Sequence, residues 1–320
     1  MTIFRLYDLF VESKKELSLS RYREEEPEDL WTLNWEKEEL LPPNSQLETL
    51  HDVLDFDGRR RLQVFRQAKQ FRKEGEDQSS EVLYFSYGKT QSRWDERKRE
   101  IGIYGAEDLE LNPGIYLERV VAPIAFLLLR SKTVALHASA VATEKGALVF
   151  IGHSGAGKST TALELSRKGL PLLADDLVII DLDRLELLSA TATVRLFDKP
   201  EAVPEALDHV VILPELEKFW YRLPEKEISV RTPLCKIYSL EHSQEVEGGA
   251  IMRSGGADSL VRLLKQSFDL SNGPRSYKEE RFRGITALAK EIPVYALRYR
   301  QECREEPAQV KAILDHLEPQ

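Results

Sequence analysis

The feature that most restricts what this chain can become is the run Gly152-His153-Ser154-Gly155-Ala156-Gly157-Lys158-Ser159. It matches the pattern G-x-x-x-x-G-K-[ST] at every fixed position. Its glycines let the backbone turn tightly enough for successive N–H groups to converge on one point. Such a loop needs a strand to feed it and a helix to leave it, because the helix start adds unpaired N–H groups and the positive end of its dipole. Both flanks are present. Ala147 to Ile151 is a continuous apolar strand pattern, and Thr161 to Lys168 places Ala162, Leu163 and Leu165 in a helical segment that Gly169 can end.

The loop therefore reads as a cradle for the phosphates of a nucleoside triphosphate, expected to be ATP with Mg²⁺. In this reading Gly152, His153, Ser154, Gly155, Ala156, Gly157, Lys158, Ser159 and Thr160 surround the phosphates. Lys158 brings its ammonium to the β- and γ-phosphates, and Ser159 gives its hydroxyl to the metal. Two overlapping patterns are weaker. Gly152 to Ala156 starts like a hydrolase nucleophile elbow, but Ala156 stands where the second glycine should be. His153 occupies a variable loop position and reads as solvent-facing rather than as a base.

A phosphate cradle does not choose a reaction. Phosphoryl transfer also needs a metal to neutralise charge and a group that positions the nucleophile. Asp175-Asp176 follows the loop helix and interrupts an apolar strand pattern, Leu172 to Ala174 and Leu177 to Ile180. Neighbouring strand residues point to opposite faces, so both face one site only if the strand bends there. One aspartate can accept a hydroxyl proton and the other can hold Mg²⁺ through water. His137, in the strand pattern Val134 to Ala142, is read from the residues alone as an interior histidine or a third site residue.

The rest of the chain reads as an α/β protein of 320 residues with two domains. Residues 1–118 show short apolar stretches, such as Ile3 to Val11 and Val82 to Tyr87, between acidic segments, and are expected to form a smaller strand-rich domain. Asp57-Gly58 is placed to turn a hairpin, and the neighbouring Arg59-Arg60-Arg61 reads as a solvated strand edge. A helix is expected from Ile115 to Arg130, and the loop domain is expected over 119–320. Its later elements are helices near Asp258 to Phe268 and Tyr277 to Lys290, a strand at Ile292 to Tyr299 and a helix at Ala308 to Leu317.

Composition enters mainly as exclusions. The net charge of −9 gives no pull toward nucleic acid. The two cysteines, Cys235 and Cys303, form neither a disulfide scaffold nor a zinc pattern, which suits a reducing cytoplasm. Met1 to Phe10 carries no secretory pattern. The greasiest segment, Val120 to Leu129, is too short to cross a bilayer and contains Pro123, so no membrane span is expected.

Taken together, Leu136-His137, Gly152 to Thr160 and Leu173-Ala174-Asp175-Asp176 resemble the catalytic domain of HPr kinase/phosphorylase and its wider HPr-kinase-like family. The likeness is specific over about residues 134–181. It implies a P-loop kinase fold related to PEP carboxykinase, and γ-phosphoryl transfer from ATP to a serine hydroxyl on a protein. It implies His137, Lys158 and Asp176 as catalytic positions, Asp176 as proton acceptor, Asp175 as its supporting neighbour and Ser159 on the metal. Family members often form rings, so a homo-oligomer is an expectation. The amino-terminal region is similar to members found beside peptide-maturation genes, some of which phosphorylate lasso peptide precursors. Bifunctional members carry a Glu-Ile-Arg-Gly-Leu-Gly-like signature whose glutamate helps bind Mg²⁺. Here Thr193 takes the place of that glutamate, and Glu201 is a substitute by spacing alone. A nucleotide-dependent peptide-recruiting module and a kinase for a small hydroxylated metabolite are the competing expectations.

Overall fold

A computed structural model of the chain describes residues 1–17, 19–21, 27, 29–36, 47–54, 61–67, 82–104, 112–130, 132–190, 193–196, 206–213, 216–223, 229–300 and 307–318. The protein is a mixed α/β structure of two compact units. One comprises Met1–Ser131, Ala206–Phe219 and Asp269–Lys278; the other comprises Lys132–Glu205, Trp220–Phe268 and Glu279–Gln320.

The first unit begins with strands β1 (Thr2–Leu6), β2 (Leu9–Ser13), β3 (Ser20–Arg21), β4 (Leu30–Glu36), β5 (Leu47–Leu54), β6 (Arg61–Gln67), β7 (Val82–Tyr87), β8 (Thr90–Asp95) and β9 (Glu100–Tyr104). They form one sheet in the order β3-β1-β2-β4-β9-β8-β7-β6-β5. Period-two burial, as in Leu9, Val11 and Ser13 of β2, shows one face turned to a core. That core is covered by a helical segment made of α1 (Pro113–Tyr116), a π-helical turn (Leu117–Val121) and α2 (Ala122–Leu129). Asn112 caps its start by accepting the Gly114 N–H at 3.0 Å. Phe126 packs edge-on to Tyr7 and Trp94, with centroids 5.7 and 6.0 Å away. The Tyr7 hydroxyl donates to the Glu118 carbonyl at 2.7 Å, and Arg130 Nη1 donates to both Asp8 carboxylate oxygens at 2.7 and 2.9 Å.

These contacts belong to the first unit, whose opening stretch runs to Ser131. The apolar stretch Ile3 to Val11 contributes to two strands, because Tyr7 takes a positive φ of 58° and turns the chain. Strands β5 and β6 pair antiparallel from Leu47↔Gln67 to Leu54↔Arg61; the Asp57-Gly58 turn between them, with Arg59 and Arg60, lies outside the described residues. Residues 269–278 join this unit through His51, whose Nδ1 accepts the Ser271 N–H at 3.0 Å.

The second unit contains β10 (Thr133–Leu136), β11 (Ala138–Thr143), β12 (Gly146–Ile151), α3 (Lys158–Arg167), β13 (Leu172–Ala174), β14 (Val178–Asp181), β15 (Glu186–Leu188) and β16 (Thr193–Leu196). After β17 (Ala206–Leu213) and β18 (Leu216–Arg222) follow β19 (Arg231–His242), β20 (Gly249–Arg253), α4 (Gly256–Gln266), α5 (Arg275–Glu291), β21 (Val294–Tyr299) and α6 (Ala308–Leu317). Strands β12, β19 and β21 run parallel at the centre. Their apolar sequences are buried accordingly, Ala147 to Ile151 completely. β11 flanks β12 and carries β13, while β20 pairs with β21.

This sheet has a second arm, and the division falls at two broken strands. The expected strand Val134 to Ala142 stops at His137: β10 pairs with β14 while β11 pairs with β12. The chain opposite breaks in the same place, with β13 on β11 and β14 on β10. His137–Ser139 therefore faces Asp175–Leu177 across a gap between Leu136↔Val178 and Ala140↔Ala174. The gap is bridged by the end of α4: the His137 N–H donates to the Gln266 carbonyl at 2.7 Å, and the Phe268 N–H to that of Ala135 at 2.9 Å. Among the described residues, no helix is long and apolar enough to cross a membrane.

Candidate functional site

The loop from Gly152 to Gly157 leaves the carboxyl end of β12 and enters α3 directly at Lys158. The helix thus starts three residues earlier than its apolar pattern, beginning at Thr161, suggests. Lys158, Ser159 and Thr160 lie on its first turn, where backbone N–H groups lack helical partners. No side chain caps that turn, and Gly157 occupies the N-cap with φ of 79°. A helix start of this kind is electrostatically suited to an anion. His153, Ser154, Gly155 and Thr160 are exposed, Ser159 is half-buried and Ala156 is buried.

The loop is held from below by two strand ends. The Tyr299 hydroxyl, at the end of β21, donates to the Ala156 carbonyl at 2.9 Å. His242, at the end of β19, places Nε2 3.1 Å from the Gly155 carbonyl and stacks obliquely on Tyr299 at 4.7 Å. Burial pushes the Tyr299 hydroxyl up to about 12, so it remains a donor. The sequence motif contains neither residue. They were illegible because they become neighbours of the loop only through the parallel β12–β19–β21 register.

Lys158 is nearly buried, and its ammonium donates to the Gly152 and His153 carbonyls at 2.9 and 3.1 Å. His137 and Asp176 are brought into its field by the gap between the sheet arms. Asp176 adopts a left-handed φ of 68°, a conformation that aspartate tolerates better than most residues. That turn presents its backbone carbonyl to His137 Nδ1 at 2.9 Å, with carboxylate Oδ1 at 3.6 Å from the same nitrogen. If His137 donates from Nδ1 to that carbonyl, Nε2 is left as the proton acceptor of the ring. Burial lowers the His137 pKa; Asp176 opposes the shift, and the charges of Lys158 and Arg195 reinforce it.

The two aspartates are separated in role by the bend. Asp175 is fully buried. Its Oδ1 accepts from the Ser139 hydroxyl at 2.5 Å and its Oδ2 from the Arg195 N–H at 2.9 Å. It is therefore a fixture of the sheet that pins β16 and β11 to the bend. Asp176 is the part-exposed member, and its Oδ1 accepts from Arg195 Nη2 at 2.6 Å. The Arg195 guanidinium also lies over the Trp220 ring, 5.4 Å from its centroid. Arg195 is a site residue that the sequence reading passed over. Its only signal was a place two residues after Thr193 in the segment compared with the family signature.

Groups able to receive an anion are thus Lys158, Arg195 and the first turn of α3, and groups able to receive a cation are Ser159 and Asp176. Thr193 is buried at the start of β16, and Glu201 lies outside the described residues. Among the described residues, no cluster of three His, Cys, Asp or Glu side chains could enclose a metal. A site fitting Mg²⁺ here would rely on few protein ligands, which is the habit of that ion when it shares phosphate oxygens and water.

Two tests follow from this geometry. Tyr299→Phe leaves the Ala156 carbonyl without its donor and should weaken phosphate-ligand binding about tenfold, the scale of one lost buried hydrogen bond. Titration calorimetry against a polyphosphate ligand checks it, with unchanged affinity as the failing result. Because His137 has a folded pKa below its unfolded value of 6.5, the unfolded chain binds its proton first. His137 should therefore cost stability as pH falls below about 6.5 and add no further loss below its folded pKa. His137→Gln should flatten that part of the thermal-melting profile.

Comparison of the sequence with models of known protein families and with curated proteins returns no match.

Proposed function

We propose that the protein is an ATP-dependent kinase that transfers the γ-phosphoryl group to a serine hydroxyl of a protein or peptide. The observation carrying this reading is the convergence of Asp176, His137 and Lys158 beside a glycine loop that opens a helix. In the reaction, Lys158 and the α3 start would hold the β- and γ-phosphates, and Ser159 would offer its hydroxyl to Mg²⁺, which would neutralise charge on the phosphates. Asp176 receives the serine proton as the hydroxyl oxygen attacks the γ-phosphorus, while ADP leaves on the opposite side. Asp175 keeps the bend in place through Ser139 and the Arg195 N–H. His137 fixes the Asp176 backbone. Most of the acceleration then comes from positioning and charge neutralisation, with a smaller part from proton removal.

The resemblance to HPr-kinase-like proteins supports the same assignment, because its three motifs are the segments that meet at the site. A ribosomally made precursor peptide, of the lasso type, is the acceptor we favour. The buried Thr193 argues against retained phosphorylase activity, since a hydroxyl there supplies no carboxylate to the metal. The same observation favours one second reading, a nucleotide-dependent module that recruits a peptide without modifying it.

Incubation with γ-labelled ATP, Mg²⁺ and the products of genes neighbouring its own separates the two. The kinase reading expects label on a serine located by mass mapping. Binding of peptide and nucleotide with no label on any acceptor overturns it in favour of the recruiting module. Label on small hydroxylated metabolites alone would instead redirect the acceptor assignment.

A further inference from the structure

The proposed base presents a chemical difficulty. Asp176 accepts from Arg195 Nη2 on Oδ1 at 2.6 Å, so part of the carboxylate that would meet an acceptor hydroxyl is already engaged. A proton acceptor held permanently in this pair would be a poor one. Arg195, however, does not depend on Asp176 for its place. Its backbone N–H is bound to Asp175, and its guanidinium lies over Trp220. The backbone anchor on Asp175 persists whichever acidic partner the guanidinium takes.

A better partner is implied by the site itself. β16, which carries Arg195, packs against α3, the helix that opens at Lys158, and both cations act on His137 with the same sign. Lys158 donates to two neutral carbonyls of the loop, contacts a polyphosphate would readily displace. The terminal phosphate of a triphosphate offers three oxygens and more charge than a carboxylate, and guanidinium binds such groups bidentately.

We propose that Arg195 senses the terminal phosphate: when a triphosphate fills the loop, its guanidinium leaves the Asp176 carboxylate for the γ-phosphoryl oxygens. Asp176 is thereby released toward the acceptor hydroxyl only when a transferable phosphoryl group is present. This inference rests on the kinase reading above and adds a condition to it. A diphosphate, lacking the γ-group, leaves the Arg195–Asp176 pair closed. No bond is made or broken in the exchange; one ion pair replaces another.

The test needs no acceptor. Affinities of the full chain for Mg·ATP and Mg·ADP are measured by titration calorimetry for the wild type, R195Q, R195K, D176N and the double variant R195Q/D176N. R195Q is expected to lose about tenfold or more in ATP affinity, the scale of one charge-assisted contact, while ADP affinity changes less than about twofold. R195K keeps the charge without the fork and should fall between. D176N, which frees Arg195 in advance, should tighten ATP about three- to tenfold and leave ADP unchanged, and the gain should vanish in the R195Q background. Equal losses for ATP and ADP in R195Q would make Arg195 a brace of the bend and overturn the exchange. So would a D176N gain that persists without Arg195. If R195Q does not fold, R195K and D176N alone decide: no ATP-specific change in either overturns the proposal. A wild type that binds neither nucleotide brings down the nucleotide reading as a whole, and is a distinct outcome from both.

Discussion

Asp176→Asn is expected to abolish measurable phosphoryl transfer while the chain stays folded and still binds nucleotide. The substitution keeps the shape of the side chain and its tolerance of the left-handed backbone at φ 68°. It removes the carboxylate that would take the hydroxyl proton, an effect of about 10²- to 10⁴-fold for general-base chemistry. Because Asp175 is held by Ser139 and the Arg195 N–H, its buried carboxylate cannot swing over to substitute. Initial rates with γ-labelled ATP and the mapped acceptor check this, alongside nucleotide affinity by calorimetry. A variant that transfers at the wild-type rate removes Asp176 from the chemistry. Asp175→Asn should behave differently. It weakens a buried hydrogen-bonded support, so the melting temperature falls together with activity.

Gly157→Ala is expected to have the second large effect, this time on the cradle. Gly157 has φ of 79°, where an L-residue costs roughly 1–2 kcal/mol. An added Cβ would also stand 2.7 Å from the Tyr299 hydroxyl, the group that supports the loop through Ala156. Relieving the contact means either moving the hydroxyl off the Ala156 carbonyl or unwinding the first turn of α3. Nucleotide affinity should drop on the order of 10- to 100-fold, since each 1.4 kcal/mol is a factor of ten. Adding Tyr299→Phe removes the crowded oxygen but keeps the backbone strain and loses the support of Ala156, so the double variant should bind more weakly than Tyr299→Phe alone. Affinity equal to that of Tyr299→Phe alone would show that the contact, and not the φ angle, governs this position.

The contrast between these two positions marks how far the sequence could be read. Gly157 was legible because a motif of fixed spacing is local: strand, loop and helix follow one another along the chain, and the backbone requirement sits on the residue itself. The same holds for α6, which spans Ala308–Leu317 as its apolar spacing indicates, and for Gly169, whose φ of 104° ends the turn after α3. Chain breaks inside apolar runs were less legible. Val134 to Ala142 reads as one strand because every residue but His137 suits a buried strand. Only the competing pairing of β10 with β14 and of β11 with β12 shows that it must be cut.

By itself, the sequence determined the loop, its flanking strand and helix, the α/β character of the chain and the three segments from which a site could be built. These properties depend on the order of residues within about a dozen positions, where glycine conformations, apolar periodicity and helix-start chemistry act directly. Tertiary structure decided which aspartate faces the site, because the left-handed turn at Asp176 and the burial of Asp175 arise where two sheet arms part. It also decided that Arg195 stands on Asp176 and that Tyr299 and His242 stand under the loop. Those partners lie 19 to 143 residues from the groups they hold. The parallel register of β12, β19 and β21 brings His242 and Tyr299 to the loop, while Arg195 arrives on β16, outside that sheet; no local spacing rule encodes either.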